Sequence, residues 1–264
     1  MLSTFGIGLS MLRMDDKETR MDKGGKAMEG IEEKGLETNS ALLIGVVLSP
    51  PVISHKSYGE TFYSFSVGVD RKSGYQDVIQ IIVSERLIWN LEFQPGDSVE
   101  ILGQIRTYNE EQDGRNKLNV VVFARDFKRC DENFRLEHEN KINLEGFICK
   151  KPIGRISPLG REICDIMLAV NRMYNKSDYI PCIAWGRNAG YASNLLVGTK
   201  ISITGRIQSR EYRKRDNDGN TSVKTAYEVS ICKLAAKDNV DCFDLEEEFE
   251  DNLRIGGELL TEIV

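Results

Sequence analysis

Four aromatic residues and a set of cations share one stretch of this 264-residue chain. Tyr174, Tyr179, Trp185 and Tyr212 stand among Arg155, Arg161, Arg172, Lys176, Arg187, Arg206, Arg210, Arg213, Lys214 and Arg215. A planar ring offers a π-face on which any nucleobase stacks, at about 1–3 kcal/mol per base. A neighbouring guanidinium or ammonium group holds phosphate oxygens. Together they suit a flexible, single-stranded polyanion. Strand parity supports a shared surface. Tyr179 and Trp185 are six apart and fall on one face of a strand. Arg206, Arg210 and Tyr212 share a face, opposite Ile201, Ile203, Gly205 and Ile207. Two residues fit less simply. Tyr174 has the parity of Leu168 and Val170, so facing outward requires a bulge or strand end near Arg172. Pro181 cannot donate to a ladder, which predicts an edge or a bulge there.

The net charge of −6 argues against such a surface until it is divided along the chain. Residues 1–38 carry 6 basic and 8 acidic side chains, and 39–140 carry 11 and 15. Residues 141–237 carry 17 and 8, whereas 238–264 carry 1 and 10. A basic segment followed by an acidic tail is a pointer to nucleic acid plus an interaction tail.

Other classes find little support. The six cysteines form no CxxC pair and there are only two histidines, so no metal site is expected. The thiols read as free, in a reducing cytosol. Neither a phosphate loop, an HExxH motif nor a nucleophile elbow is present, so no catalytic residue and no cofactor is assigned. There is no run of 18 apolar residues, and the N-terminus does not read as a signal peptide.

The elements that must carry these residues come from a repeat. Residues 40–48 match 141–149, with Gly45 on Gly146. Residues 65–71 match 167–172, with Arg71 on Arg172, and 95–105 match 197–207, with Gly96 on Gly198 and Gly103 on Gly205. The offset is 101 or 102 throughout, which predicts a duplicated module of about 100 residues. Strands are expected at 142–148, 163–172, 179–185, 200–212 and 225–234, with a helix over 187–197 and a basic hairpin loop at 213–222. The first copy gives strands near 40–48, 61–70, 77–83, 98–106 and 117–124, and a helix over 85–93 with Trp89 in the core. Three strands, a helix and two strands is the order of the OB-fold, a Greek-key barrel. The helix favours it over an SH3-like barrel. The fold expected is therefore all-β: two tandem OB-folds at 39–129 and 141–237. A linker at 130–140 joins them, with a disordered extension at 1–38 and an acidic tail at 238–264.

The second copy resembles the bacterial single-stranded DNA-binding protein family. The stretches that carry the likeness are NLEGFICKKP, SPLGREICDIMLAVNR, YIPCIAWGRNAGYAS, VGTKISITGRIQSREY and YEVSI. The resemblance implies that Tyr174, Tyr179, Trp185 and Tyr212 are stacking rings, and that the chain protects single-stranded DNA in replication, recombination or repair. It also implies a cytoplasmic, nucleoid-associated homo-oligomer, either a dimer giving four OB modules or a tetramer. In the first copy Val78 and Ser84 replace Tyr179 and Trp185, and only Arg71, Arg106, Tyr108 and Arg115–Lys117 look like binding groups. Its expected role is pairing with another OB module through its apolar 77–83 strand. The tail resembles the family's in acidity but ends in LRIGGELLTEIV, without an acidic-aromatic tip. Docking of replication or repair proteins there is open. Alternatives are a primosome or replication-restart interaction protein, an RNA or cold-shock-type binder, and an enzyme with an OB accessory domain.

Overall fold

A computed structural model describes residues 38–112, 115–130, 138–157, 159–173, 176–215 and 221–237. At 112, 115–116, 211–215 and 221–224 only the backbone is described. All but Thr38 of the expected extension at 1–38, most of the linker, Tyr174 and the acidic tail lie outside these residues.

The first half runs β1 (Asn39–Val47), β2 (Val52–Ser57), β3 (Glu60–Asp70), β4 (Gln76–Ser84), α1 (Glu85–Ile88), β5 (Ser98–Gln112) and β6 (Arg115–Arg129). The second repeats the order as β7 (Glu139–Ile148), β8 (Ile153–Ile156), β9 (Glu162–Asn171), β10 (Ser177–Trp185), α2 (Arg187–Ala192), β11 (Lys200–Arg215) and β12 (Thr221–Ala236). Alternating burial along β1 and β7 shows why these sequences form strands: apolar residues at every second position need one dry face. In each half the pairing closes on itself. β1 joins β3 and β5, β3 joins β4, β4 runs parallel to β6, and β6 joins β5. The pairings among β7, β9, β10, β12 and β11 are the same. The chain is two tandem OB-folds.

The repeat glycines mark where the barrels pinch. A Cβ on Gly45 or Gly146 would lie 2.3 Å from the carbonyl oxygen of Gly68 or Ala169. Only glycine lets β1 and β7 cross β3 and β9 that closely.

The barrels share one sheet because β1 pairs antiparallel with β7. Ala41 faces Ile142, its own repeat equivalent, and Leu42–Lys141 mirrors Ser40–Asn143. The two halves are therefore related by a pseudo-two-fold axis through that pair. A matched asparagine anchors each barrel. The Asn39 amide exchanges two hydrogen bonds with the backbone of Ile105, and Asn140 does the same with Ile207.

Several elements differ from expectation. The short edge strands β2 and β8 were missed; β8 is exposed at every residue and β2 at all but Ser57, so neither shows a buried period. The helices stop at Ile88 and Ala192, well short of 93 and 197. Trp89 caps the end of α1 and is 74% exposed rather than core, because Leu87 and Ile88 are the residues of this turn that pack against the core. The described residues of the expected 213–222 loop are ladder, since β11 and β12 stay paired to Arg215–Thr221, while 216–220 lie outside the described residues. Pro181 causes no bulge in the β9 ladder. Pairing with β12 begins one residue later at Cys182, so its missing N–H leaves no partner unmet.

Candidate nucleic-acid interface

Strand β10 alternates up to Cys182, after which Ile183 is buried as well. Ile180, Cys182 and Ala184 are buried, whereas Tyr179 is half-buried and Trp185 lies at the surface. The Trp185 indole donates its Nε1–H to Ser230 Oγ on β12 at 3.1 Å. That bond holds the ring by its edge, and the residue remains 36% exposed. Sequence reasoning missed Ser230; its position beside β10 depends on the parallel β10–β12 pairing, for which a sequence carries no local signal. Tyr179 stands at the other end of β10, where its backbone N–H donates to Thr107 Oγ1 of the first barrel at 3.1 Å. Tyr212 lies on β11 opposite Lys224, and Lys214 lies opposite Ser222.

The cations divide into three groups. Arg161, Lys176 and Arg187 are exposed and make no ion pair among the described residues. Arg155 is clamped to Asp165, with Nε 2.6 Å and Nη2 3.2 Å from the two carboxylate oxygens, and this hydrogen bonding raises its pKa. Arg210 forms a long ion pair with Glu228 at 3.9 Å, and the Glu228 Oε1 accepts a hydrogen bond from Gln208 Nε2 at 2.7 Å. Arg206 buries its Nε without a hydrogen-bond partner among the described residues.

Arg172 is placed elsewhere, in the seam between the barrels. Its Nε and Nη2 both donate to Asp178, which is fully buried, and Nη2 donates to the Thr107 carbonyl at 3.1 Å. A guanidinium committed to a buried carboxylate is a structural ion pair first. The repeat supplies its twin, Arg71 with Asp77, at 2.6 and 2.5 Å. Each aspartate also accepts from the opposite barrel: Asp178 from the Thr107 backbone N–H at 2.5 Å, Asp77 from that of Ser209 at 3.2 Å. Arg106 adds a second cation against Asp178 at 3.1 Å. Burial pulls the Arg106 pKa down, Asp178 opposes, and Arg172 and Arg125 add to the downward pull. The signal was available in the sequence, since an arginine six residues before an aspartate recurs at the repeat offset.

The apolar 77–83 strand is not an open edge. Most of β4 lies within the first barrel, and Val78 N–H donates to Ser209 Oγ of the second at 3.3 Å.

Comparison with known proteins places this geometry. Residues 139–234 match the model of the Single-strand binding protein family. "Single-stranded DNA-binding protein 2" of Listeria innocua is 36% identical over 87 residues, covering 30% of this chain and 54% of that protein. The chain thus spans about half the length of that relative. A protein of the same name from Clostridium acetobutylicum is 30% identical over 113 residues, covering 40% of this chain and 85% of its own. The crystal structure of the wild-type single-stranded DNA binding protein from Thermus aquaticus superposes with a TM-score of 0.60 at 20% identity, over 78% of this chain and 95% of that one. That likeness concerns the fold and spans more of the chain than the second barrel alone. Two barrels of one design, one of them matched to the family model and aligned over most of a relative's length, make the chain a member of the single-strand binding protein family.

Proposed function

We propose that the chain binds single-stranded DNA with little base preference, chiefly through the barrel at 141–237, and protects it during replication, recombination or repair. The observation that carries this is Trp185: a surface tryptophan held by its edge against Ser230, on the barrel that bears the excess of cations. Tyr174, Tyr179 and Tyr212 join it as stacking rings, each base contributing about 1–3 kcal/mol. The exposed Arg161, Lys176 and Arg187 take the phosphates, with Lys214 and Arg210 along β11. Arg155 reaches the strand from its clamp on Asp165, and Arg206 lies beneath it. Arg172 serves indirectly, by fixing Asp178 and so the backbone beside Tyr179. Module limits of 39–129 and 141–237 fit this reading. So does a cytoplasmic homo-oligomer, in which a dimer presents four barrels, with the acidic tail left free for replication or repair proteins.

The test is competition for a labelled oligo-dT, read by fluorescence anisotropy, against oligo-rU and duplex DNA at several salt concentrations. Binding should favour dT, nearly vanish for duplex, and weaken with salt as phosphate contacts release counterions. Unchanged affinity in a Tyr179→Ala/Tyr212→Ala variant would remove the stacking platform. A strict monomer by light scattering at micromolar concentration would remove the dimer.

A further inference from the structure

We propose that the first barrel carries a base-stacking site of its own, formed by His55, Phe62 and Phe123 beside Arg125, for one or two bases of the strand that the second barrel holds. This rests on the single-stranded DNA reading above and assigns it a second contact.

Three aromatic rings touch one another on the outside of this barrel. The His55 ring stacks on Phe62 with centroids 4.8 Å apart and planes 8° from parallel. Phe62 meets Phe123 at 5.7 Å and 41°. The Arg125 guanidinium lies 5.8 Å from the Phe123 ring centre. None of the three is needed by the core. Along β3 the core is filled by Phe65, Val67 and Val69, and along β6 by Val120, Val122 and Ala124. Phe62 and Phe123 have the opposite parity and are half-buried, and His55 is exposed.

Their place in the barrel is informative. Phe62 pairs with Ser84 across β3–β4, and Phe123 lies between Ile82 of β4 and Gln104 of β5. The same row of the second barrel reads Ile163 beside Trp185, then Ser230 between Ile183 and Arg206. Where the second barrel has its tryptophan, the first has serine. Where the second has isoleucine and serine on either side, the first has two phenylalanines. Aromatic surface has moved by one strand in each direction within one row, and has not been lost.

The charge around the ladder suits a polyanion. Arg125 is the extra residue of a β-bulge and is exposed. Its Nη2 reaches Gln104 Oε1 at 3.4 Å, which also accepts from Arg106 Nη2 at 2.5 Å. Arg106 continues to Asp178, the neighbour of Tyr179. A line of cations therefore leads from the ladder across the seam to a ring of the second barrel. The nearby carboxylate, Glu60, is already held by Ser84 and Arg86. A single strand spanning both barrels, and not a protein helix, fits a partly exposed aromatic ladder, open at His55 and bordered by guanidinium groups.

The test uses the full chain with Phe62→Ile and Phe123→Ser, the residues the second barrel tolerates at those positions, together with His55→Ala. Affinity is measured for oligo-dT of about 10 nucleotides, within reach of one OB-fold, and of about 30, long enough for both. The variant should bind the longer strand at least about fivefold more weakly, the effect of one lost stack at the low end. It should bind the shorter one within about twofold. Wild-type affinity for both lengths overturns the inference while leaving the second-barrel site intact. No dT binding by the unaltered protein overturns both. Should circular dichroism show the variant misfolded, photocrosslinking of the unaltered protein to a 5-iodouracil 30-mer decides. Adducts on His55, Phe62 or Phe123 support the site, and adducts confined to residues 141–237 overturn it.

Discussion

Removing the Asp178 carboxylate should unfasten the two barrels at a cost that its surroundings set. Asp178 is fully buried and accepts from Arg172 Nε at 2.5 Å and from its Nη2, from Arg106 Nη1 at 3.1 Å, and from Thr107 N and Oγ1 at 2.5 and 3.2 Å. Deleting one partner of a buried ion pair leaves an uncompensated charge and costs about 3–5 kcal/mol. Here the arginines keep some water, with side chains 26% and 20% exposed, which moves the expectation to the low end, about 3 kcal/mol. The pseudo-symmetric Asp77→Ala should cost about 1 kcal/mol less. Among the described residues Asp77 holds Arg71 and the Ser209 N–H alone, because the residue equivalent to Arg106 is Gln208, which bonds Glu228 instead. Urea denaturation followed by circular dichroism measures both. Replacing Asp178 and Arg172 together by apolar residues should restore part of the loss. An Asp178→Ala change within about 1 kcal/mol of the unaltered protein would refute the buried-pair reasoning, as would Asp77→Ala proving the costlier of the two.

Further predictions follow from the same geometry. Gly146→Ala should fail to fold or lose several kcal/mol, because its Cβ would overlap the Ala169 carbonyl oxygen, whereas Gly190→Ala in α2 meets nothing within 4 Å and should be tolerated; thermal melting separates them. Glu145 has a lowered pKa: burial pulls it upward, but the ammonium groups of Lys200 and Lys237 outweigh that. Its contribution is present above the unfolded value of 4.5 and is lost as pH falls below it, so Glu145→Gln should flatten the fall of stability in acid. Burial raises the Cys149 and Cys164 thiols to about 11, and raises that of the fully buried Cys182 as well. Alkylation at neutral pH, mapped by mass spectrometry, should mark the exposed Cys232 and spare these three until the barrels unfold.

Much of the architecture was legible because barrel strands impose a period of two and the repeat doubled the signal. Ile201, Ile203 and Ile207 point inward as their spacing required. Helix lengths were misread because apolar residues such as Leu91 and Leu196 happened to follow helical spacing, yet both are exposed. The site was only half legible. The repeated spacing of Arg71 to Asp77 and Arg172 to Asp178 marks two arginines as ion-pair partners, but that Thr107 and Arg106 of the other barrel share Asp178 follows only from the β1–β7 pairing that sets the barrels side by side. His55 and Phe62 face each other across the β2–β3 hairpin, but Phe123 is 61 residues beyond Phe62 and joins them only through the β3–β4 and β4–β6 pairings, which no spacing reveals.

The most direct test of the central account uses Trp185 as its own reporter. The chain has two tryptophans, and Trp89→Phe removes the other from an exposed position where little should depend on it. Titrating this variant with oligo-dT should quench Trp185 fluorescence to saturation, with the apparent affinity falling as salt rises and duplex DNA producing almost no change. Emission that stays constant while dT binds would show that the strand does not stack on Trp185, and emission that stays constant because nothing binds would contradict the proposed function itself.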